Sequence, residues 1–517
     1  MIKIEHIKEP NIEFSDDFLC DDPKMGISTT GFYSLSNKSH KSEIHYAVIG
    51  TKASIEKTID WISEFSKFIE SGDKKVKIKN ETEIEDGEIK SLFDDDDIFD
   101  NNDEEIKEYN ERNKRLNPDF PGFNKSSCFK SEFLNDETNN FTIKKKDIDE
   151  IIKNNATLFE KQNAIIELYY EEYINLIENS FNKPDICFVV LPSNVFKKLG
   201  SIPFGKQKIN FRRKLKAKLL EHSSRIPTQI ILEETIAGTK KQMQDKSMVA
   251  WNFSVAQYYK TSNSIPWILT EIDKNSCFVG ISFHKIINSE NNILRSSVAQ
   301  AFNREGKGLI FVGKQFEWNV AKTKVAAPHL TYEYANELIK NILTNYIKIN
   351  KHTPSRVVIH KTTDFWNYVV SKDYSEVEGI REGVRKVIGN DAEIDFVTIK
   401  SSKIKLLRTN GIYPVLRGTL MKLDDYSGIL YTTGYIPYYE TFPGMHIPMG
   451  LEINITHSES SIREISKEIL ALTKLNFNNC NYYDSLPITI RFAQKVGEII
   501  QYLPDNVSPP TKYYYYM

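Results

Sequence analysis

Cysteine is scarce. Five are scattered along the 517 residues, and no C-x-x-C pair occurs. An odd, dispersed set argues against a disulfide framework or a zinc site, and it fits a reducing cytoplasm. Long apolar runs are missing as well. No stretch reaches the roughly 18 residues a membrane span needs, and the opening M-I-K-I-E-H-I-K-E-P lacks the apolar segment of a secretory leader. No G-x-G-x-x-G occurs, so a dinucleotide site is not expected. No internal repeat is visible. Aromatic residues, by contrast, are plentiful: 29 Phe and 26 Tyr provide material for real cores. The length allows two to four domains.

Net charge is also nearly absent, at −2, but the balance is uneven. Residues 81–111 hold 15 Asp and Glu against two Lys and Arg, a local −13, so the remainder carries +11 by difference (−2 + 13). A basic body of this kind suits a polyanion, although ordinary surface lysine would give the same sum. The acidic segment, within an insertion spanning about 72–118, is expected to be solvated and self-repelling. A steering or autoinhibitory segment that mimics nucleic acid is the alternative.

Periodicity predicts a doubly wound α/β arrangement in the first half. Residues 1–42 read as polar and loop-rich. Strands are expected at 43–51, 185–192 and 227–232, and helices at 54–71, 146–180 (one long or two short), 206–222 and 248–260. In the second half strands are expected near 277–283, 294–302, 308–313, 356–361, 394–400, 414–421, 428–432 and 449–455. Helices are expected at 332–349, 460–474 and 487–501.

Two of these strands carry the most information. Cys277–Lys285 reads C-F-V-G-I-S-F-H-K and Arg356–Thr362 reads R-V-V-I-H-K-T. With them stand E-P at 9–10, D-P at 22–23, V-I-G-T at 48–51, P-G-F at 121–123, F-R-R-K-L-K-A at 211–217, P-T-Q-I-I at 227–231, A-W-N-F-S-V-A-Q-Y-Y-K at 250–260 and I-P-W at 265–267. In this order and spacing the chain resembles a short prokaryotic Argonaute. The resemblance implies a Rossmann-like MID domain over 1–263 and an RNase H-like PIWI domain over 264–517.

The resemblance also implies a pocket for the 5′ phosphate of a guide strand. A phosphate needs several donors converging at helix ends, with lysine as a point charge. The family pattern runs from an aromatic, four residues on to Lys, then to Gln in a strand and Lys at a later helix end. It falls here on Asn210, Lys214, Gln229 and Lys260, with Asn210 departing from the aromatic. Arg212, Arg213 and Lys216 become candidates for guide backbone contacts. Taken singly, Lys214 could be one exposed lysine of a basic helix, Gln229 an ordinary strand residue and Lys260 a helix C-terminal cation. The carboxylate of Met517 is implied as a ligand to a magnesium ion shared with guide phosphates.

Active PIWI domains hold two metal ions with carboxylates. On the family pattern those positions fall on Ser282, Thr362 and Gln494, which cannot supply the charge. Asp364 is a lone acid near the second, and Glu317 is one option for a mobile-loop glutamate. His284 and His360 read as core or surface histidines. The resemblance thus implies a catalytically inactive sensor holding a guide, RNA by preference, on single-stranded DNA. It would work with a separate APAZ-containing effector, a TIR or sirtuin-like NADase or less commonly a nuclease, whose activation depletes NAD in prokaryotic defence. An active guide-directed nuclease would require the carboxylates. A guide-independent nucleic-acid-binding protein would lack dependence on a 5′ phosphate.

Overall fold

The computed structural model describes residues 2–36, 39–72, 114–205, 207–239, 243–262, 264–285, 293–303, 305–306, 308–313, 315–318, 325–408, 414–442 and 447–517. The acidic stretch 81–111 lies outside the described residues.

Short, wholly apolar runs such as Ile186–Leu191 have no polar face to give to water, so both of their faces must be covered. They are covered in a parallel sheet ordered Thr228–Leu232, Ile186–Leu191, Glu43–Gly50, Glu132–Asn135, with Phe141–Thr142 pairing alongside Glu43–Gly50. Alternate residues divide between two cores. Ala47, Ile49, Cys187 and Val189 face the helices Lys145–Lys153, Leu158–Asn179 and Phe211–Leu219. Val48, Phe188 and Val190 face Lys52–Glu64 and Lys246–Ser262.

The second half builds a larger mixed sheet. Its order is Lys3–His6, Thr419–Lys422, Ser427–Leu430, Leu451–His457, Glu393–Ser401, Arg356–Lys361, Ser276–Lys285, Ile293–Phe302, Gly308–Val312, with Gln315–Glu317 also on Ile293–Phe302. At its centre Ser276–Lys285, Arg356–Lys361 and Glu393–Ser401 run parallel, while Ile293–Phe302 and Gly308–Val312 return antiparallel. Helices Tyr332–Asn350 and Glu376–Val387 cover one face, and Ile462–Leu472 and Ile488–Ile500 the other. Parallel central strands with antiparallel returns and helices on both faces make an RNase H-like arrangement.

Three expectations need correction. The opening residues do not belong wholly to the first unit: Lys3–His6 pairs antiparallel with Thr419–Lys422, at an edge of the large sheet. A buried ionic cluster fixes this crossing, with Glu9 receiving Arg417 at 2.8 Å and Lys474 at 2.6 Å. The strand K-I-E-H is largely exposed and buries no residue fully, so it left no strong apolar signal. The helix expected over 206–222 is instead the strand Gln207–Asn210 followed by Phe211–Leu219, because Asn210 caps the helix by accepting from the Arg213 N–H at 3.1 Å. Helix Glu376–Val387 was not anticipated. Its Gly379 and Gly383 allow close packing, since a Cβ at either would collide with helix Tyr332–Asn350. Among the described residues no helix is long and apolar enough to cross a membrane.

Candidate nucleic-acid interface

Helix Phe211–Leu219 has two unlike faces. Phe211, Leu215 and Leu219 are buried in the core with Tyr169 and Leu191. Arg212 and Lys216, four residues apart, share another face. Lys216 is buried, and its Nζ donates to the Thr228 carbonyl at 2.5 Å and the Thr228 hydroxyl at 3.0 Å. The next residue of that edge strand, Gln229, accepts through Oε1 from Lys260 Nζ. Lys260 closes helix Lys246–Ser262 and is completely buried.

These cations act on one another. Burial first, then repulsion from Lys216, Arg212 and Lys495, pushes the Lys260 ammonium well below the usual lysine range. Burial, with Arg212 adding to it, pushes Lys216 down to about 7. The Arg212 guanidinium is lowered too, by surrounding protein and by Arg213. Arg212 nevertheless has an exposed surface, because its side chain lies in a concave wall open to water. Among the described residues no carboxylate acts on Lys260, Lys216 or Arg212. Lys495, contributed by helix Ile488–Ile500 of the second half, feels both Asp484 and Glu498. A buried group of like charges without a counter-charge is costly, and a bound anion would relieve it.

The other expected residues are placed differently. Lys214 lies two residues from both Arg212 and Lys216, hence round the far side of the helix. Its Nζ donates to Asn163 Oδ1 and sits 4.3 Å from the Phe159 ring centroid. Arg213 pairs with Glu498 at 2.6 Å. The Asn210 side chain is engaged as a helix cap, and its N–H donates to the Tyr502 hydroxyl at 2.9 Å. Met517 packs on the core after the turn Tyr513–Tyr516. Tyr513 is buried, its ring 5.2 Å from that of Tyr259 and 4.7 Å from that of Phe492, so the tail docks beside the residue preceding Lys260.

In the large sheet, Gly280 pairs with His360 and Ile281 with Lys361. Ser282 is the next residue of the first strand, and Thr362 is the first residue after the second strand ends. Ser282 is buried at an irregularity in the pairing with Ile293–Phe302. The shared face looks to helix Ile488–Ile500: His360 Nδ1 lies 2.9 Å from the Thr489 hydroxyl, and a Cβ at Gly280 would run into the Thr489 carbonyl. Gln494, on that helix, is exposed. Burial pushes the His360 imidazole down to about 3, so it is neutral at physiological pH. His284 packs against Gly497. Asp364 is exposed and pairs with Lys400 at 2.6 Å. Glu317 ends the short strand Gln315–Glu317.

No family model and no curated protein matches this sequence. Solved structures do match it. The fold is similar to that of the Argonautes. A Clostridium butyricum Argonaute bound to a guide DNA and a 19-mer target DNA aligns with 99% of this chain at a TM-score of 0.60 and 16% identity, over 55% of its own length. Drosophila Piwi aligns with 99% at 0.57 and 12% identity, over 56% of its length. A Marinitoga piezophila Argonaute in complex with a 5′-OH guide RNA aligns with 99% at 0.53 and 15% identity, over 59% of its length. The chain therefore spans a little over half the length of these Argonautes, and its mixed α/β architecture matches their MID and PIWI halves.

Against this Argonaute fold two features stand out that the sequence reading missed. Lys495 joins the cation group from more than two hundred residues away, which no local pattern could reveal. Lys216 belongs with Lys260, and the i, i+4 relation to Arg212 was the available signal. Open parallel sheets generally bind ligands in the crevice beyond their strand ends. Here that crevice is filled internally: Glu233 accepts from the Ser54 hydroxyl at 2.8 Å and the Ser193 N–H at 3.1 Å.

Proposed function

We propose that this chain is a guide-dependent nucleic-acid sensor whose first half seats the 5′ phosphate of a guide strand. The observation that carries the reading is the group of cations formed by the buried Lys260 and Lys216 with the exposed Arg212 beside them, joined by Lys495 and by the Gln229 amide. A phosphate brings nearly two negative charges and several acceptor oxygens to a place where, among the described residues, Lys260, Lys216 and Arg212 have no side-chain carboxylate partner. The Marinitoga Argonaute is in complex with a 5′-OH guide RNA, so the fold alone is no argument for a phosphate. Here it is supported by the residues themselves. In this proposal Lys216 and Arg212 take the place first given to Lys214. The guide is RNA and the target single-stranded DNA. A hard cation such as magnesium fits between guide phosphates and a carboxylate, for which Met517 is the candidate.

The proposal extends to the role of the complex. Ser282 and Thr362 bring hydroxyls, and Gln494 an amide, to positions where two-metal cleavage would need carboxylates. The chain would therefore sense and not cut. Its output would be the activation of an APAZ-containing effector, a TIR or sirtuin-like NADase, with NAD depletion as a prokaryotic defence. Incubated with guide, complementary target and magnesium or manganese, the purified protein should leave the target intact. Guided cleavage that disappears on altering Ser282 or Thr362 would refute this.

The phosphate seat is tested by comparing guides with 5′-phosphate and 5′-hydroxyl ends, the former binding more tightly. Affinity for the phosphorylated guide should also fall as pH rises above 7. Lys216 without a guide loses its proton around 7, and a phosphate favours its charged form, so binding above 7 takes up a proton. Calorimetry in two buffers of different ionisation enthalpy reads that uptake. Equal affinity for both guide ends, with no proton uptake, would sink the seat.

A further inference from the structure

A cavity of about 530 Å³ opens beside the cation group, between the first half and the turn Asn478–Asn481. Arg212 and Gln229 belong to its wall, so it adjoins the phosphate seat. Apart from Thr235, the rest of its polar lining is mainly amide, including Gln244, Asn252, Gln257 and Asn479, over an apolar floor with Ile231 and Phe253. Most of an amide's hydrogen-bonding capacity is normally met by protein. Asn252, for example, donates to Gln244 at 3.0 Å and accepts from the Cys480 N–H at 2.8 Å. Gln257 differs. It is only 2% exposed, and its Oε1 is buried with no donor among the described residues. A buried acceptor left unpaired is costly, and such groups in native structures call for an explanation.

We infer that Gln257 reads the 2′-hydroxyl of a nucleotide at the guide's 5′ end, and so selects RNA over DNA guides. The inference rests on the phosphate seat proposed above. Gln257 precedes Lys260 by three residues on the same helix face, an axial offset of about 4.5 Å. With a phosphate against Lys260, the group that reaches one turn back is the sugar, because the base lies farther along the nucleotide. Within a strand the 3′ oxygen is esterified, so the sugar hydroxyl left to donate is the 2′-OH, which DNA lacks. A site built to bond a hydroxyl rejects an analogue without it more strongly than an apolar pocket rejects a size change.

The test uses guides with 5′-phosphate and 5′-hydroxyl ends and with two alternative first bases: all RNA, all DNA, and RNA carrying a single 2′-deoxy sugar at the first or second nucleotide. One of the two single-deoxy guides should bind about tenfold or more weakly than RNA. Gln257→Leu, or Gln257→Met should the first fold poorly, should bring RNA down to that level and remove the difference. The deoxy scan on the unaltered protein needs no variant at all. The inference is overturned if neither deoxy position matters, if the variant keeps the RNA preference, or if the variant's loss follows the base and not the sugar. Binding that ignores the 5′ phosphate yet still senses one deoxy sugar would sink the phosphate seat alone. The reverse pattern would sink the sugar contact alone.

Discussion

Replacing Lys260 by methionine is expected to weaken binding of a 5′-phosphorylated guide by about 2–5 kcal/mol, roughly thirty-fold to several-thousand-fold. The ammonium is fully buried, bonded to Gln229 and pressed by Lys216, Arg212 and Lys495. Without an anion this arrangement is strained electrostatically; with a phosphate the same groups attract one ligand. Loss of one of them leaves a buried, partly unpaired phosphate, which is why the expected penalty exceeds that of an exposed ion pair. A guide with a 5′-hydroxyl never gains the contact, so its affinity should change far less. Lys214→Ala serves as the contrasting variant, since Lys214 faces Asn163 and Phe159 round the far side of the helix. A residue that only tracks the backbone would weaken both guides alike and reduce the salt slope. Guide affinities measured at two salt concentrations separate these outcomes. The assignment fails if Lys260→Met penalises both guide ends equally, or if Lys214→Ala is the more damaging change.

Which parts of this were readable from the sequence follows from how local each signal is. The buried strand Ile186–Leu191 is a short apolar run and Arg356–Lys361 has an apolar centre, V-V-I, and their positions were found to within a residue or two. The edge strand Lys3–His6 has neither apolar alternation nor turn residues to mark it, and it exists only because Thr419–Lys422 offers a partner. Helix Glu376–Val387 was hidden by glycines that serve close packing. In the candidate site, Gln229 and Lys260 were chosen by resemblance, and the structure puts them in contact. Which of Lys214 and Lys216 faces Lys260 is a question of helical phase. The buried run of Phe211, Leu215 and Leu219 fixes that phase once the helix start at Asn210 is known, and a helix drawn from 206 blurs it. The contribution of Lys495 depends on packing between distant segments, and no reading of local spacing contains it.

Stability should depend most sharply on a buried ion pair beneath the Ser282–Thr362 face. Lys361 directly precedes Thr362, points to the opposite side of the sheet and pairs with Glu376, both side chains being fully buried. The Glu376 carboxylate also accepts from the Trp366 N–H at 2.9 Å and the Leu330 N–H at 3.2 Å, and it lies 3.3 Å from His329 Nδ1. One carboxylate thus ties the loop after Thr362 to the loop before Thr331. Burial raises its pKa, but Lys361 and the hydrogen bonds outweigh that and leave it below the usual range. The pair therefore contributes stability above the ordinary glutamate pKa, and that contribution is lost as pH falls through the depressed folded value. Glu376→Leu should cost about 3–5 kcal/mol, because it strands a buried ammonium. In Lys361→Met/Glu376→Leu the stranded charge is gone, and what remains without the carboxylate is the Trp366 and Leu330 N–H groups and His329 Nδ1. The double variant should recover about 2 kcal/mol or more of the loss. Urea unfolding followed by tryptophan fluorescence suits the measurement, since the Trp366 ring stacks on His329 with centroids 3.7 Å apart. If the double variant is no more stable than Glu376→Leu alone, the ammonium is not what Glu376 compensates, and its role reduces to the two backbone bonds.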